Sequence, residues 1–163
     1  MTAPEWLTAR PIAHRGLHDR AAGILENTLS AADAAIAHRF PIECDVQDTA
    51  DGEAVVFHDH TLDRLTGKGG PVRERRADEL TRLSVGGSSD AIPTLPALLE
   101  RIAGRVGLVV EIKSRFDGAM ALTRRTCELL QAYSGPVAVK SFDPRVVAEV
   151  RRVAPALPRG FLG

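Results

Sequence analysis

Cysteine is nearly missing from this sequence: Cys44 and Cys127 are the only two among 163 residues. They lie far apart and lack metal-type spacing, so a disulfide framework is not expected and reduced thiols are. An excess of one charge is missing too, since 21 Lys and Arg balance 21 Asp and Glu. A balanced chain argues against a polyanion-binding surface, and no nucleic-acid partner is expected. The stretch Arg73–Arg76 agrees, because Glu74 interrupts it and Asp78 and Glu79 follow, as on a solvated face. No apolar run is long enough to span a bilayer, and Met1–Arg10, with Pro4, Glu5 and Trp6, has no hydrophobic leader. Stable membrane insertion is therefore not expected, and a cytoplasmic location is. Internal repeats and low-complexity segments are also lacking.

What is there is ordinary globular composition, 44% hydrophobic and 26% charged, in a length that suits one domain over residues 1–163. Short strand-like runs alternate with amphipathic helical stretches. Strands are expected near 11–15, 41–46, 54–58, 107–112, 137–140 and 159–162. Helical spacing joins Leu29, Ala32, Ile36 and Phe40, with Thr28 as a cap, and then Leu95, Leu98, Leu99 and Ile102 behind Thr94. Asp117 is read as opening a third long helix. Asp143–Pro144 supplies an N-cap and first helical residue for a fourth, which carries Val146, Val147, Val150 and Val153. Between about His58 and Pro93 the pattern is irregular, with a short helix near Arg75–Leu83. Strand, helix, strand in repetition signals a parallel α/β protein. An open doubly wound sheet and a barrel give the same alternation.

The charges are placed less evenly than the apolar residues. Strand side chains alternate faces, so Glu43 and Asp45 project together and Cys44 opposes them, packed against the helices and inert. Adjacent carboxylates at the end of a buried strand repel and are costly to desolvate, and a cation commonly relieves both costs. Glu111 and Lys113 repeat the spacing after another apolar run. Glu43, Asp45 and Glu111 together offer hard oxygen donors, which suit Mg²⁺ or Ca²⁺ better than zinc. His14 with Arg15 follows the first strand, and His58 with Asp59 follows the run Ala54–Phe57. In a parallel barrel these would share the carboxyl-end rim, where active sites lie. Arginine suits phosphate oxygens, and two histidines flanking a phosphate can serve as general acid and base. His38 and His60 have no comparable placement and read as helix-end and loop residues. Glu26–Asn27–Thr28 reads mainly as support for the His14–Arg15 loop.

His14–Arg15–Gly16, Glu26–Asn27–Thr28, Glu43–Cys44–Asp45–Val46, His58–Asp59 and Glu111–Ile112–Lys113 occur in this order. Together with Asp51–Gly52, Leu62, Arg64, Ile92–Pro93–Thr94–Leu95 and Ser141–Phe142, they resemble the glycerophosphodiester phosphodiesterase family. The resemblance implies a TIM-type (β/α)8 barrel with a short insertion after the third strand, here about 59–92. It also implies metal-dependent hydrolysis of glycerophosphodiesters, such as glycerophosphocholine, to an alcohol and glycerol 3-phosphate. Glu43, Asp45 and Glu111 would hold the divalent cation, His14 and His58 would be the acid–base pair, Arg15 would hold the phosphate, and Lys113 would sit over the phosphate or the glycerol. Whether water or the substrate's own hydroxyl attacks stays open. A full barrel takes about 250 residues, so this chain is expected to supply about six of its strands, leaving an open edge that a homo-oligomer can cover. A non-catalytic module that binds a divalent ion or phosphate ligand without turnover is the alternative expectation.

Overall fold

A computed structural model describes residues 3–163; Met1 and Thr2, at the start of the segment read as lacking a leader, lie outside the described residues. In chain order the elements are α1 (Trp6–Ala9), β1 (Ala13–His14), α2 (Leu29–Ala37), β2 (Ile42–Asp48), β3 (Ala54–Val56), α3 (Asp63–Thr66), α4 (Ala77–Leu80), α5 (Leu95–Ile102), β4 (Leu108–Ile112), α6 (Ala121–Gln131), β5 (Val137–Ser141), α7 (Pro144–Val153) and β6 (Arg159–Phe161). Five strands run parallel in the order β1-β2-β4-β5-β6 and curl into half of a barrel. Helices α2, α5, α6 and α7 cover the outer face.

The sixth strand runs the other way. β3 pairs antiparallel with the end of β2, Val46 opposite Val56 and Asp48 opposite Ala54. Only residues 49–53 join the two, whereas a parallel crossover needs about a dozen or more. The barrel wall among the described residues therefore has five parallel strands, with β2–β3 as an arm above its rim. Residues beyond the arm form a second small core, in which Leu62, Leu65, Val72, Leu80 and Ile92 pack on Val55 and Phe57.

Strand alternation divides the sheet cleanly. Ile42, Cys44, Val46, Leu108, Val110, Ile112 and Val139 face outward into the core shared with the helices. Register then sets the concave face in rows: His14, Glu43, Val109 and Ala138 in one, Asp45, Glu111 and Lys140 in the next. Helix starts follow from local chemistry, since Thr28, Thr94 and Asp143 accept from Ala31 N, Ala97 N and Arg145 N at 3.2, 3.2 and 2.9 Å. α6 departs from expectation. Asp117 instead accepts from Ala119 N at 2.9 Å, and Gly118 turns left-handed at φ 84°, so the helix starts only at Ala121.

α1 lies under the amino ends of the strands, with the Trp6 ring where a side chain at Gly107 would be: a Cβ there would collide with it. Above it, Leu7, Val109, Ala138, Lys140 and Phe161 help to line an open groove of about 580 Å³ along the concave face. The free edges of the half-barrel are β1 and β6.

Candidate active site

Glu43, Asp45 and Glu111 converge. Asp45 and Glu111 are direct register partners on β2 and β4, Glu43 lies one inward-facing position below, and one oxygen from each of the three falls within 4.8 Å of the others. All three are buried. Two lysines bridge them. Lys113 Nζ lies 2.8 Å from Asp45 Oδ1 and 2.5 Å from Glu111 Oε1. Lys140 Nζ lies 2.9 Å from Glu43 Oε1 and 3.3 Å from Glu111 Oε2. Burial opposes the Lys140 charge, but Glu43 and Glu111 outweigh it and hold this ammonium above its usual pKa.

The donor set fits a hard divalent cation on its own geometry. Glu43 Oε1 is buried, and its close ion-pair partner is the Lys140 ammonium at 2.9 Å. Three anionic groups are met by three cations, Lys113, Lys140 and Arg15, whose Nε is 3.4 Å from Asp45 Oδ2. A dication added to this neutral cluster leaves it about two charges positive, which suits an anionic phosphodiester.

The turn after β1 brings two more groups to the cluster. Arg15 takes φ 59° and donates its backbone N–H to Glu43 Oε2 at 3.1 Å, while His14 Nε2 lies 3.9 Å from the same oxygen with its side chain 67% exposed. Gly16 permits the turn, at φ 79°, and a Cβ there would meet the Ala31 backbone at 2.9 Å. Gly16→Ala is expected to destabilise the protein by about 1–3 kcal/mol, read as a lower thermal unfolding midpoint. Asn27, also left-handed at φ 57°, donates to Asp45 Oδ2 at 2.9 Å and accepts its backbone N–H at 3.3 Å. The support expected of Glu26–Asn27–Thr28 thus extends to an acidic residue of the cluster itself.

His58 reaches the rim by return along the antiparallel arm. Phe57 N donates to Asp45 O at 3.0 Å, which sets His58 one residue past that level. Its Nδ1 lies 2.7 Å from Asp59 Oδ1, and Arg64 Nε and Nη2 grip Asp59 at 2.7 and 2.9 Å. Arg64 also grips Glu26 at 2.7 and 3.0 Å, and Arg15 Nη1 reaches the same carboxylate at 2.8 Å. One chain of charges, Arg15–Glu26–Arg64–Asp59–His58, therefore links the two rim loops. Arg64 is the main cause that pulls Asp59 and Glu26 each down to about 2, helped by His58 and Arg15 respectively.

Both carboxyls have folded pKa values below their unfolded ones. Their stabilisation is complete above the unfolded values and is lost as pH falls from about 4.5 to about 2. Arg64→Leu is expected to flatten that acid limb of a plot of unfolding midpoint against pH, and an unchanged limb would refute the linkage.

The seven residues singled out in the sequence all line this rim. Two neighbours escaped sequence reasoning. Lys140 reads only as a polar residue in an apolar strand until its pairing opposite Glu111 is known. Arg64 carried the family resemblance but no role, since its clamp depends on how the irregular segment folds.

Comparisons with known proteins agree with this geometry. The sequence model of the Glycerophosphoryl diester phosphodiesterase family matches residues 14–163. The Bacillus subtilis protein YhdW, provisionally named a glycerophosphodiester phosphodiesterase, is 35% identical over 93% of this chain and 64% of its own length. A glycerophosphodiester phosphodiesterase of Caldanaerobacter subterraneus is 33% identical over 93% of this chain and 65% of its own length. Among solved structures, an Oleispira antarctica phosphodiesterase in complex with the product sn-glycerol-3-phosphate superposes with a TM-score of 0.82 at 28% identity, covering 92% of this chain and 64% of that one. The chain thus spans a little under two thirds of these relatives. With the family matched along nearly its whole length and the carboxylates gathered at the rim of a half-barrel, this chain belongs to the glycerophosphoryl diester phosphodiesterase family.

Proposed function

We propose that this chain carries the metal-binding and phosphate-handling part of an enzyme that hydrolyses glycerophosphodiesters, such as glycerophosphocholine, to an alcohol and glycerol 3-phosphate. The observation that carries the reading is the convergence of Glu43, Asp45 and Glu111 beside His14 and Arg15 at the carboxyl ends of parallel strands. The product-bound Oleispira neighbour adds support for the substrate class.

Glu43, Asp45 and Glu111 would hold the divalent ion, Mg²⁺ or Ca²⁺. When bound, that ion supplies Lewis-acid stabilisation of charge on the phosphoryl oxygens. Arg15 and Lys113 present cationic donors to the same oxygens, and their existing bonds to Glu26, Asp45 and Glu111 pre-orient them. His14 and His58 handle protons. One accepts the proton of the attacking hydroxyl, whether of water or of the substrate, as its oxygen bonds to phosphorus. The other donates a proton to the alcohol oxygen as the P–O bond breaks; where the substrate's own hydroxyl attacks, water then opens the resulting cyclic phosphate with the two roles exchanged, giving glycerol 3-phosphate. Asp59 holds a proton on His58 Nδ1, which leaves Nε2 for this exchange.

No helix among the described residues is long and apolar enough to cross a membrane. A cytoplasmic setting is part of the proposal, supported by the free, buried Cys44 and Cys127. Burial, with Glu43 and Asp45 adding, raises the Cys44 thiol pKa and keeps it inert.

The test is release of choline from glycerophosphocholine by wild type, His14→Ala and Glu43→Ala, with and without chelator. Release that needs the ion and fails in both variants is expected. Activity indifferent to chelator and to both substitutions would refute the reading. Ion binding without any release would favour the non-catalytic module instead.

A further inference from the structure

Gln47, at the end of β2, is 1% exposed, and its chemical surroundings fix its amide. The NH2 group donates to the carbonyl oxygen of His58 at 2.9 Å, and a carbonyl oxygen can only accept. The amide oxygen therefore faces the other way, 3.3 Å from Nδ1 of His60. Because that oxygen also only accepts, the hydrogen of a neutral His60 ring sits on Nδ1 and Nε2 is bare. Burial, then the charges of Arg115 and Lys113, lower the pKa of this imidazole; His58 adds slightly and Asp48 opposes.

His60 lines an open cleft of about 350 Å³ together with Glu111, Lys113, Phe116 and Phe142. Phe116 and Phe142 are 57% and 53% exposed there, and with Phe161 they are the exposed large apolar side chains among the described residues. The cleft thus combines two apolar rings, the Lys113 ammonium beside the carboxylates, and one acceptor of fixed orientation. Rings of this kind pack against the C–H faces of a carbon chain.

We infer that His60, oriented by Gln47, accepts a hydrogen bond from a hydroxyl of a polyol chain lying between Phe116 and Phe142, and so selects phosphodiesters that carry one. The inference rests on the phosphodiesterase reading above and names a specificity determinant for it. The polyol is either the glycerol half of the substrate or a hydroxylated headgroup. A site that bonds a hydroxyl favours a ligand that carries one over an analogue that lacks it, by about the net worth of one hydrogen bond.

Calorimetry with Mg²⁺ present, read as binding for the two monoesters and as kcat/KM of turnover for the two diesters, separates the two sources. One arm compares sn-glycerol 3-phosphate with propyl phosphate; the other compares glycerophosphoinositol with glycerophosphocholine. Wild type is expected to prefer the hydroxylated ligand in at least one arm. His60→Leu is expected to reduce that preference about tenfold without weakening the other ligand, and His60→Asn, which keeps an acceptor, to restore part of it. Loss in the first arm assigns the glycerol, and loss in the second the headgroup. Nitrogen-15 NMR of the ring is expected to show protonated Nδ1 and bare Nε2 in wild type, with Gln47→Leu shifting it toward the opposite tautomer. Equal preference in wild type and His60→Leu in both arms, or a wild-type ring protonated on Nε2, would overturn the inference while leaving the phosphodiesterase reading intact. Failure of wild type to bind or turn over any of the four ligands would overturn both.

Discussion

Asp45→Asn is expected to remove divalent-ion affinity and to lower phosphodiester hydrolysis by about 10³-fold or more, with the fold retained. The magnitude follows from the several kcal/mol of charge stabilisation that a bound cation supplies, at about 1.4 kcal/mol per tenfold in rate. Asp45 is the most informative of the three carboxylates because three different elements hold it: Lys113 from the end of β4, Arg15 from the β1 turn and Asn27 from the start of α2. The amide keeps the shape and its oxygen can still accept from Asn27, while its NH2 takes the place of Oδ1 beside the Lys113 ammonium. Lys113 retains Glu111 and Arg15 retains Glu26, so no buried cation is stranded and the ion-free protein should stay folded, with a lowered unfolding temperature. Wild type at an ion concentration of 100 times Kd should gain about 2.7 kcal/mol, and the variant nothing. Calorimetric titration with Mg²⁺ and Ca²⁺, thermal unfolding with and without the ion, and initial rates together check this. A variant that still binds the ion as tightly as wild type would remove Asp45 from the donor set.

His58→Ala should cost about 10²- to 10⁴-fold in rate, the usual range for a positioned acid or base, with ion affinity and the ion-induced thermal shift unchanged. That separation is the core of the prediction, because His58 meets Asp59 and not the three carboxylates. Asp59→Asn should fall between, at about 10- to 100-fold, since the histidine remains but its tautomer is no longer imposed. Comparing the pH–rate profiles of His58→Ala and His14→Ala assigns base and acid, because each variant loses one limb. Equal losses of ion binding and of rate in His58→Ala would show that this residue acts through the cluster rather than on a proton.

Much of this site was legible before any fold was known, for a geometric reason. Side chains two apart on a strand share a face, so Glu43 with Asp45 and Glu111 with Lys113 announce their grouping locally. Helix starts at Thr28, Thr94 and Asp143 are equally local, because each cap depends on a side chain and an N–H two or three residues on. The direction of β3 was also within reach: five connecting residues with Asp51–Gly52 among them make a hairpin and cannot make a crossover.

Other features belong to the tertiary structure alone. Lys140 meets Glu43 and Glu111 only because β5 pairs with β4 in one register, and a shift by one residue would turn it to the helix side. Arg64 reaches Glu26 across 38 residues of chain and joins it to Asp59, and Gln47 fixes His60 from a strand whose pattern gives no hint of it. Which residues share a face follows from backbone periodicity and can be read locally along the chain. Which faces meet, and so which charges neutralise, clamp or orient one another, was decided by the register of strands distant in sequence, and no local pattern encodes that.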